Sequence, residues 1–255
     1  MQYITYKQFN NMKRKDILAA LLLMVAGLQT TKAQKMRFHY SGQDTPVEYS
    51  IAGLDSMVFV DAPAVEHEYV DLGLPSGTLW ATFNVGASRP EDYGDYFAWG
   101  ETEPKDDYSW STYFDTKDNG STFEKYNKNG GLTELLPTDD AATANWGRDW
   151  QIPSLEQLEE LINSDYTTTE RTTLNGIEGR KITSKSNGNS IFLPAAGYRY
   201  GTSLDNVGSY GDYWSRSLHS SYSSYAYYLY FSSSNVGTSG NYRYYGRSVR
   251  PVRRL

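Results

Sequence analysis

The side chains that most often carry catalysis are sparse in this sequence. Its three histidines, His39, His67 and His219, lie far apart, and none stands beside a matched nucleophile and acid. A catalytic histidine needs such partners within hydrogen-bond reach. The chain has no cysteine, which excludes disulfides, thiolate metal ligands and a cysteine nucleophile. The sequence therefore predicts surface histidines and a protein that is not an enzyme.

Carboxylates gather between residues 91 and 107, where several could approach one cation. Asp92 and Asp95 are followed by Glu101 and Glu103, and Ca²⁺ takes about six to eight oxygen ligands. The spacing fits no calcium-loop pattern. We therefore expect a solvated acidic loop, balanced in part by the arginine-rich C-terminus, with no bound metal and no cofactor.

The stretch from Tyr198 to Tyr245 combines tyrosine with serine, glycine and asparagine, and it holds 12 of the 23 tyrosines. Between residues 226 and 231, strand alternation predicts Tyr227, Leu229 and Phe231 on the core side, with the other tyrosines facing solvent. Exposed tyrosine among small polar residues is typical of evolved recognition surfaces. The predicted ligand-binding residues are Tyr200, Tyr210, Tyr222, Tyr225, Tyr228, Tyr230, Asn241, Tyr242 and Tyr244.

Two other interpretations of this composition stay open. The tyrosines could simply cover a core that has no disulfides. The residues between the hydrophobic anchors of Ser215–Tyr245 are also those that adenine mutation of asparagine codons produces. The C-terminal region could therefore have been diversified by a retroelement, or could have reached the same composition by drift among paralogues.

The first 33 residues have the pattern of a cleaved export signal. A basic segment, Lys13–Lys15, precedes the apolar segment Ile17–Leu28, and small residues at Thr31–Ala33 favour a cut ahead of Gln34. Twelve apolar residues are too few to span a bilayer, which needs about 20. We therefore expect export to the periplasm, the cell surface or the medium, with no membrane span after cleavage.

The charge of the mature chain limits its partners. Cleavage removes five Lys/Arg and one Asp and leaves 19 basic and 29 acidic side chains, a net charge of −10. Nucleic acids and anionic membrane surfaces repel such a chain. The expected partner is therefore a protein or a glycan.

Alternating apolar residues divide the mature chain into a short leader and a larger domain. Residues 34–62 predict a small antiparallel β meander, residues 63–68 a linker, and residues 69–255 the main domain. Within that domain, strands are predicted at 79–85 and 94–101. The polar stretch Pro104–Leu135 predicts long surface loops.

Helix caps and turn pairs organise the rest of the domain. Thr138 is the predicted N-cap of a short helix, and Ser154 with Gln157 forms a capping box before a helix at Leu155–Ile162. Asn-Gly pairs at 175–176 and 187–188 predict hairpin turns. Trp214 is expected to be buried where the C-terminal sheet meets the second helix.

Several ordered motifs between residues 69 and 253 resemble those of the Fibrobacter succinogenes major paralogous domain. They are VDLGLPSGTLWAT, NVGAS, GDYFAWGE, DDAA with NWG, WQIPSLEQLEELI, GNSIFLPAAGYR, YWSRS and GRSVRPVR. That family is similar in arrangement to C-type-lectin-like domains, which include formylglycine-generating enzymes and the variable proteins of diversity-generating retroelements. The formylglycine-generating activity depends on cysteine and therefore does not carry over to this chain.

The resemblance implies an α+β, C-type-lectin-like fold with twisted antiparallel sheets, long loops and one or two helices. With the composition, it leads us to expect an exported, non-catalytic module that binds a protein or glycan ligand through its C-terminal tyrosine-rich face. The alternative is a structural or adhesive cell-surface component whose tyrosines serve assembly.

Overall fold

A computed structural model describes residues 35–38, 47–50 and 67–253, and the chain divides into two compact units at Ala62/Pro63. In the first unit, β1 (Lys35–Phe38) pairs antiparallel with β2 (Val47–Ser50), and Met36 lies opposite Tyr49. These are the first two strands of the predicted leader. The third, near Met57 and Phe59, lies outside the described residues, as do the predicted signal and residues 63–66 of the linker.

The regular secondary structure of the second unit is mainly antiparallel strands. In chain order its elements are β3 (Tyr69–Asp71), β4 (Leu79–Ala81), α1 (Ala141–Trp146), β5 (Trp150–Gln151), α2 (Leu155–Leu161), β6 (Thr167–Leu174), β7 (Ile177–Ser184), β8 (Ser190–Pro194), β9 (Tyr198–Tyr200), β10 (Ser203–Asp205), β11 (Gly211–Leu218), β12 (Tyr225–Phe231), β13 (Val236–Tyr242) and β14 (Val252–Arg253). Antiparallel sheets with two helices confirm the predicted α+β class. No helix among the described residues is long and apolar enough to cross a bilayer.

The strands of this unit form three sheets and one separate pair. The sheet orders are β3-β4-β14-β5, β6-β7-β8 and β11-β12-β13, while β9 pairs with β10. The last described strand, β14, thus lies between strands from much earlier in the chain. Val252 is opposite Trp80 on one side and Gln151 on the other.

The two helices test the capping predictions. At α2 the prediction is confirmed, because the Ser154 hydroxyl accepts from the Gln157 amide and the Gln157 side chain accepts from the Ser154 amide, at 3.2 and 2.9 Å. At α1 the predicted cap, Thr138, is wrong. Asp140 is the N-cap, since its carboxylate accepts from the amides of Thr143 and Ile152, both at 2.9 Å. That carboxylate therefore caps the helix and ties it to the residue after β5.

The hairpin turn after β6 is also confirmed. Leu174 lies opposite Ile177, and the two loop residues Asn175 and Gly176 have φ angles of 49° and 83°. Left-handed values at both loop residues are those of a type I′ turn, for which Asn-Gly is the favoured pair.

The predicted strand at 94–101 is wrong. Apart from an isolated bridge between Phe97 and Arg247, the segment has no strand pairing. Gly94 and Gly100 adopt left-handed φ angles of 72° and 83° at its two ends, which interrupt an extended ladder. Residues 96–100 are nevertheless buried, and the amides of Phe97 and Trp99 donate to the carbonyls of Arg247 and Arg243 at 3.0 and 2.9 Å.

The stretch Pro104–Leu135 is irregular, as predicted, apart from one turn of 3₁₀ helix at Trp110–Thr112. It is more than a surface loop, because Tyr108, Tyr113 and Tyr126 are buried within it. The hydroxyls of Tyr108 and Tyr113 donate to the carbonyls of Tyr96 and Trp99, both at 2.6 Å. A tyrosine can bury its ring while its hydroxyl forms a hydrogen bond. The polar stretch Pro104–Leu135 therefore still contributes side chains to the core.

Both faces of the β11-β12-β13 sheet are covered. Trp214 and Ala226 belong to one buried cluster with Phe97 and Trp99, while residues on the opposite face, Tyr213, Leu229 and Phe231, pack with Leu158 and Leu161 of α2. Trp214 is fully buried, as expected. Its predicted neighbour is wrong, because α2 packs on the other face of the sheet.

This two-sided packing also corrects the expected exposure of Tyr228. Leu229 and Phe231 are core residues as predicted. Tyr228, however, is half-buried, with its ring 6.1 Å from that of Trp214 and 3.9 Å from the guanidinium of Arg247. Strand alternation separates core from solvent only where one face of a sheet is open, and here it is not.

Buried tyrosines should make the domain sensitive to alkali. Burial raises the pKa of Tyr96 to about 12 and raises that of Tyr113 well above its ordinary value, whereas an unfolded tyrosine ionises near pH 10. Because the folded-state pKa is the higher one, this stabilisation is present below about pH 10 and is lost as pH rises toward the folded-state value.

We therefore expect cooperative unfolding between about pH 10 and 12, with tyrosinate absorbance and loss of circular dichroism sharing one midpoint. Tyr96→Phe should weaken the pH dependence of stability. Gradual ionisation near pH 10 of a chain that stays folded would contradict the expectation.

Candidate binding surface

A row of tyrosine rings begins at the β12-β13 hairpin. The strand register places Tyr225 opposite Tyr242, and their ring centroids are 4.7 Å apart in an edge-to-face arrangement. Tyr222, just before β12, is 5.5 Å from Tyr225. Cross-strand aromatic pairs stabilise a sheet and hold each other's orientation.

The row continues past the end of β13 to β9. Tyr242 stacks on Tyr244 at 5.5 Å, Tyr244 on Tyr245 at 4.9 Å, and Tyr245 on Tyr200 at 5.2 Å. Reciprocal backbone bonds of 2.7 and 3.0 Å join Arg199 to Gly246 and thereby fix β9 beside the C-terminal segment. We call this set the aromatic row: Tyr222, Tyr225, Tyr242, Tyr244, Tyr245 and Tyr200.

The two ends of the row are open to solvent, and its middle is supported. Tyr200 is 50% exposed and Tyr222 is 59% exposed. Tyr225, Tyr242 and Tyr245 are half-buried, whereas Tyr244 is 8% exposed. A hydrogen bond with Tyr242 raises the pKa of Tyr225, and burial raises the pKa of Tyr245. Both shifts favour the neutral phenol at these two positions.

Trp110 supports the row from behind, and sequence reasoning missed it. Its ring lies 4.7 Å from Tyr244 and 5.7 Å from Tyr242. A side chain at Gly120 would place a Cβ 2.5 Å from the indole, so glycine there is what makes room for Trp110. Neither residue lies in a periodic segment or near the row in sequence, and no local signal identifies them.

His219 packs at the Tyr222 end of the row. Its ring is 5.2 Å from Tyr222 and stacks on Tyr227 at 4.6 Å, and its Nδ1 accepts from the Ser221 amide at 3.0 Å. Burial lowers its pKa, which favours the neutral ring. His219 is thus a half-buried residue at the surface, held by ring contacts and one backbone hydrogen bond.

His67 has a similar structural setting. It is half-buried and stacks on Trp146 with ring centroids 3.7 Å apart, and burial lowers its pKa. His39 lies outside the described residues. In the described ranges, no group of three or more His, Asp or Glu could hold a metal ion.

Four predicted ligand-binding residues lie outside the row. Tyr230 is half-buried beside Tyr228, with ring centroids 6.1 Å apart. Tyr210 is 41% exposed and accepts a bond from the Gly197 amide through its carbonyl. The side chain of Asn241 accepts from the Tyr242 amide at 2.8 Å. The structure thus gathers five of the nine predicted residues, Tyr200, Tyr222, Tyr225, Tyr242 and Tyr244.

Two buried arginines anchor the segment that carries Tyr244 and Tyr245. Arg243 pairs with Asp115 at 3.3 Å and lies 4.1 Å above the ring of Phe123. Arg247 pairs with Asp212 at 3.2 Å. Both arginine side chains are almost inaccessible, so the expectation that C-terminal arginines balance a solvated acidic loop is wrong. Paired charges and aromatic faces compensate part of their desolvation, although Nε and Nη2 of Arg243 and Nη1 of Arg247 are buried without a hydrogen-bond partner.

Three carboxylates of the acidic stretch have separate partners. Glu91 is buried and accepts from the Asn175 side chain at 2.9 Å, while Asp92 pairs with Arg89 at 2.9 Å. Glu101 pairs with Lys105 at 2.8 Å. These carboxylates hold loops together and do not converge on one point.

One comparison with known proteins gives a match. The family described as "Domain of unknown function (DUF8237)" matches residues 162–252, a range that contains β6 to β13 and all six residues of the aromatic row. No curated protein and no solved structure matches the chain.

Proposed function

We propose that this protein is an exported, non-catalytic ligand-binding module that recognises a protein or glycan partner through the aromatic row. The observation that carries the proposal is the continuous line of tyrosine rings from Tyr222 to Tyr200, open at both ends. Aromatic anchors dominate binding energy at recognition surfaces because they bury large areas at low entropic cost.

The rigid support of the row favours binding over simple coverage of the core. Tyr244 and Tyr245 follow Arg243, which is held by Asp115 and by the Tyr126 carbonyl at 3.3 and 3.1 Å. Anchors that are already ordered lose little conformational freedom when a ligand binds, which is the usual advantage of preorganisation. If the tyrosines only covered the core, the rings at the two ends of the row would not need to be half exposed.

The proposed fold is C-type-lectin-like and the proposed setting is outside the cytoplasm. Motifs such as WQIPSLEQLEELI and GRSVRPVR support the first, together with the short sheets and the long irregular stretch between β4 and α1. The basic and apolar segments before Gln34 support the second. Diversification of the C-terminal region stays part of the hypothesis, and a nearby reverse transcriptase gene with a near-copy of the 3′ end would support it.

The direct test changes the exposed ends of the row. The double variant Tyr200→Ser/Tyr222→Ser should leave the free energy of unfolding within about 0.5 kcal/mol of wild type, since both rings are largely exposed. It should lower the affinity for a ligand found on glycan and surface-protein arrays at least about tenfold. Binding is measured by surface plasmon resonance and stability by urea unfolding.

Tyr166→Ser is the matched control, because Tyr166 is exposed but lies outside the row. It should change neither quantity. Arrays without a hit, or a double variant that binds as wild type does, would contradict the proposal. If the mature chain instead self-associates and the double variant abolishes that association, the structural or adhesive alternative is correct.

A further inference from the structure

The strand β13 forms one edge of the β11-β12-β13 sheet. In the described part of the chain it pairs with β12 and with no other strand. An edge strand presents a row of N–H and C=O groups that another extended chain can pair with. Which of these groups point outward decides what the edge can bind.

The hairpin turn fixes that direction. The Ser232 amide donates to the Asn235 carbonyl at 2.9 Å, and the register of the hairpin runs without a shift from Phe231↔Val236 to Tyr225↔Tyr242. Hydrogen-bonded pairs alternate along an antiparallel ladder. The backbone groups of residues 237, 239 and 241 therefore bond to β12, and those of 236, 238, 240 and 242 point away from it.

One of these outward amides is already satisfied. The Tyr242 amide donates to the side chain of Asn241 at 2.8 Å. This bond agrees with the ladder, in which the Tyr242 amide points away from β12. The amides of Val236, Thr238 and Gly240 have no such side-chain acceptor in the described ranges. Three outward donors on alternate residues match the spacing of one added strand.

The edge lacks the features by which proteins usually block such pairing. The strand Val236–Tyr242 contains no charged residue and no proline, and its continuous register leaves no bulge. The outer strand β6, by contrast, carries Glu170 and Arg171. At the edge strand β3, the carbonyl of Asp71 accepts from two asparagine side chains, Asn187 and Asn189, at 3.1 and 2.8 Å.

A carboxylate beside this edge indicates the charge of the occupant. The hydroxyl of Thr238 donates to Glu159 of α2 at 3.4 Å, and Glu159 is exposed. A residue placed opposite Thr238 on an added strand points to the same face, so a basic side chain there would reach Glu159. A second copy paired about a two-fold axis at Thr238 would bring two such carboxylates together, and like charges repel.

We propose that the outer edge of β13 binds an extended, basic peptide segment of a partner protein as an additional strand. Backbone bonds to Val236, Thr238 and Gly240 provide the pairing, and a lysine or arginine opposite Thr238 pairs with Glu159. The site is independent of the proposed use of the aromatic row, since it depends on backbone groups and on α2. It is nevertheless adjacent to the row through Tyr242, so one partner could contact both.

Hydrogen exchange on the mature chain, residues 34–255, tests the proposal. The probe is the blocked heptapeptide Thr-Val-Lys-Thr-Lys-Val-Thr, and the control replaces both lysines with glutamate. In the free protein the amides of Thr238 and Gly240 should exchange fast and those of Gly237 and Ser239 slowly. The lysine peptide should slow exchange at Thr238 and Gly240 at least about tenfold and leave Gly237 and Ser239 unchanged.

Three variants separate the backbone from the side-chain contributions. Thr238→Pro removes an outward amide. Proline also restricts the backbone of the residue before it, which here is the permissive Gly237. This variant should therefore stay folded and lose peptide binding. Thr238→Val keeps the amide and should still bind. Glu159→Gln should lower affinity for the lysine peptide about two- to fivefold, the size of an exposed ion pair.

Three results would overturn the proposal. One is slow exchange at Thr238 and Gly240 in the free protein, which would mean that the edge is already covered; dependence on protein concentration would identify a second copy as the occupant. Another is tight binding of the peptide by Thr238→Pro. The third is equal affinity for the lysine and glutamate peptides, which would exclude the role of Glu159. None of these three results bears on binding through the aromatic row, which the Tyr200→Ser/Tyr222→Ser variant tests separately.

Discussion

Replacing Asp115 with alanine will destabilise the domain by about 3–5 kcal/mol, because it leaves a buried guanidinium without its carboxylate. Asp115 accepts from the amides of Glu124, Lys125 and Tyr126 at 3.2, 2.8 and 3.0 Å and from Arg243 at 3.3 Å. The Arg243 side chain is fully inaccessible. The substitution therefore removes the acceptor of three backbone donors and of one buried charge at once.

Asp115→Asn keeps the shape and one acceptor oxygen, and it should cost less than the alanine variant. Asp106→Ala changes an exposed carboxylate in the same long stretch and should leave stability within about 0.5 kcal/mol. Urea unfolding followed by tryptophan fluorescence measures all three. Equal stability of the Asp115→Ala and Asp106→Ala variants would contradict the role given to the ion pair.

Trp214→Ala will have an effect of similar size, about 3–5 kcal/mol, since it opens a cavity in the larger aromatic cluster. Its indole N–H donates to the Phe97 carbonyl at 2.8 Å, and its ring faces the guanidinium of Arg247 at 4.4 Å. The change thus removes buried area, one hydrogen bond and one cation–π contact. A loss of this size is a large part of the roughly 5–15 kcal/mol that holds a domain folded.

Trp214→Phe retains a ring but not the N–H and should cost clearly less than alanine. Its comparison with Trp214→Ala, by thermal unfolding and near-ultraviolet circular dichroism, separates packing from hydrogen bonding. A loss below about 1 kcal/mol for the alanine variant would show that the cluster around Trp214 contributes little to stability.

Local signals predicted the local structure well. Ser154 with Gln157 defines the start of α2, and Asn175-Gly176 defines the turn between β6 and β7, because in both cases the residues that form the structure are neighbours in sequence. Thr138 was a weaker signal, since the true cap, Asp140, is selected partly by its bond to Ile152 across the end of β5. Tertiary contacts of this kind are invisible to a capping pattern.

The candidate surface was predicted only in part, for the same reason. The tyrosine-rich composition identified five of the six members of the row and missed Tyr245. Trp110 and His219, which pack against the row, gave no signal because their neighbours are brought together by the fold. The partial burial of Tyr228 and the buried position of Arg247 depend on a distant segment, since Tyr228 packs against the cluster that contains Phe97 and Trp99, and Phe97 exchanges backbone hydrogen bonds with Arg247. Strand alternation had predicted solvent exposure for Tyr228.

The position of β14 has a consequence for how the domain folds. Val252 bridges Trp80 and Gln151, and Arg250 donates to the side chain of Asn84 at 2.9 Å. Contacts of such long sequence separation make folding slow, because a large loop must close before they form. The sheet therefore cannot be completed while residues 250–253 are still being synthesised or translocated. For a chain exported as proposed, this sheet can therefore be completed only on the far side of the membrane, once residues 250–253 have crossed it.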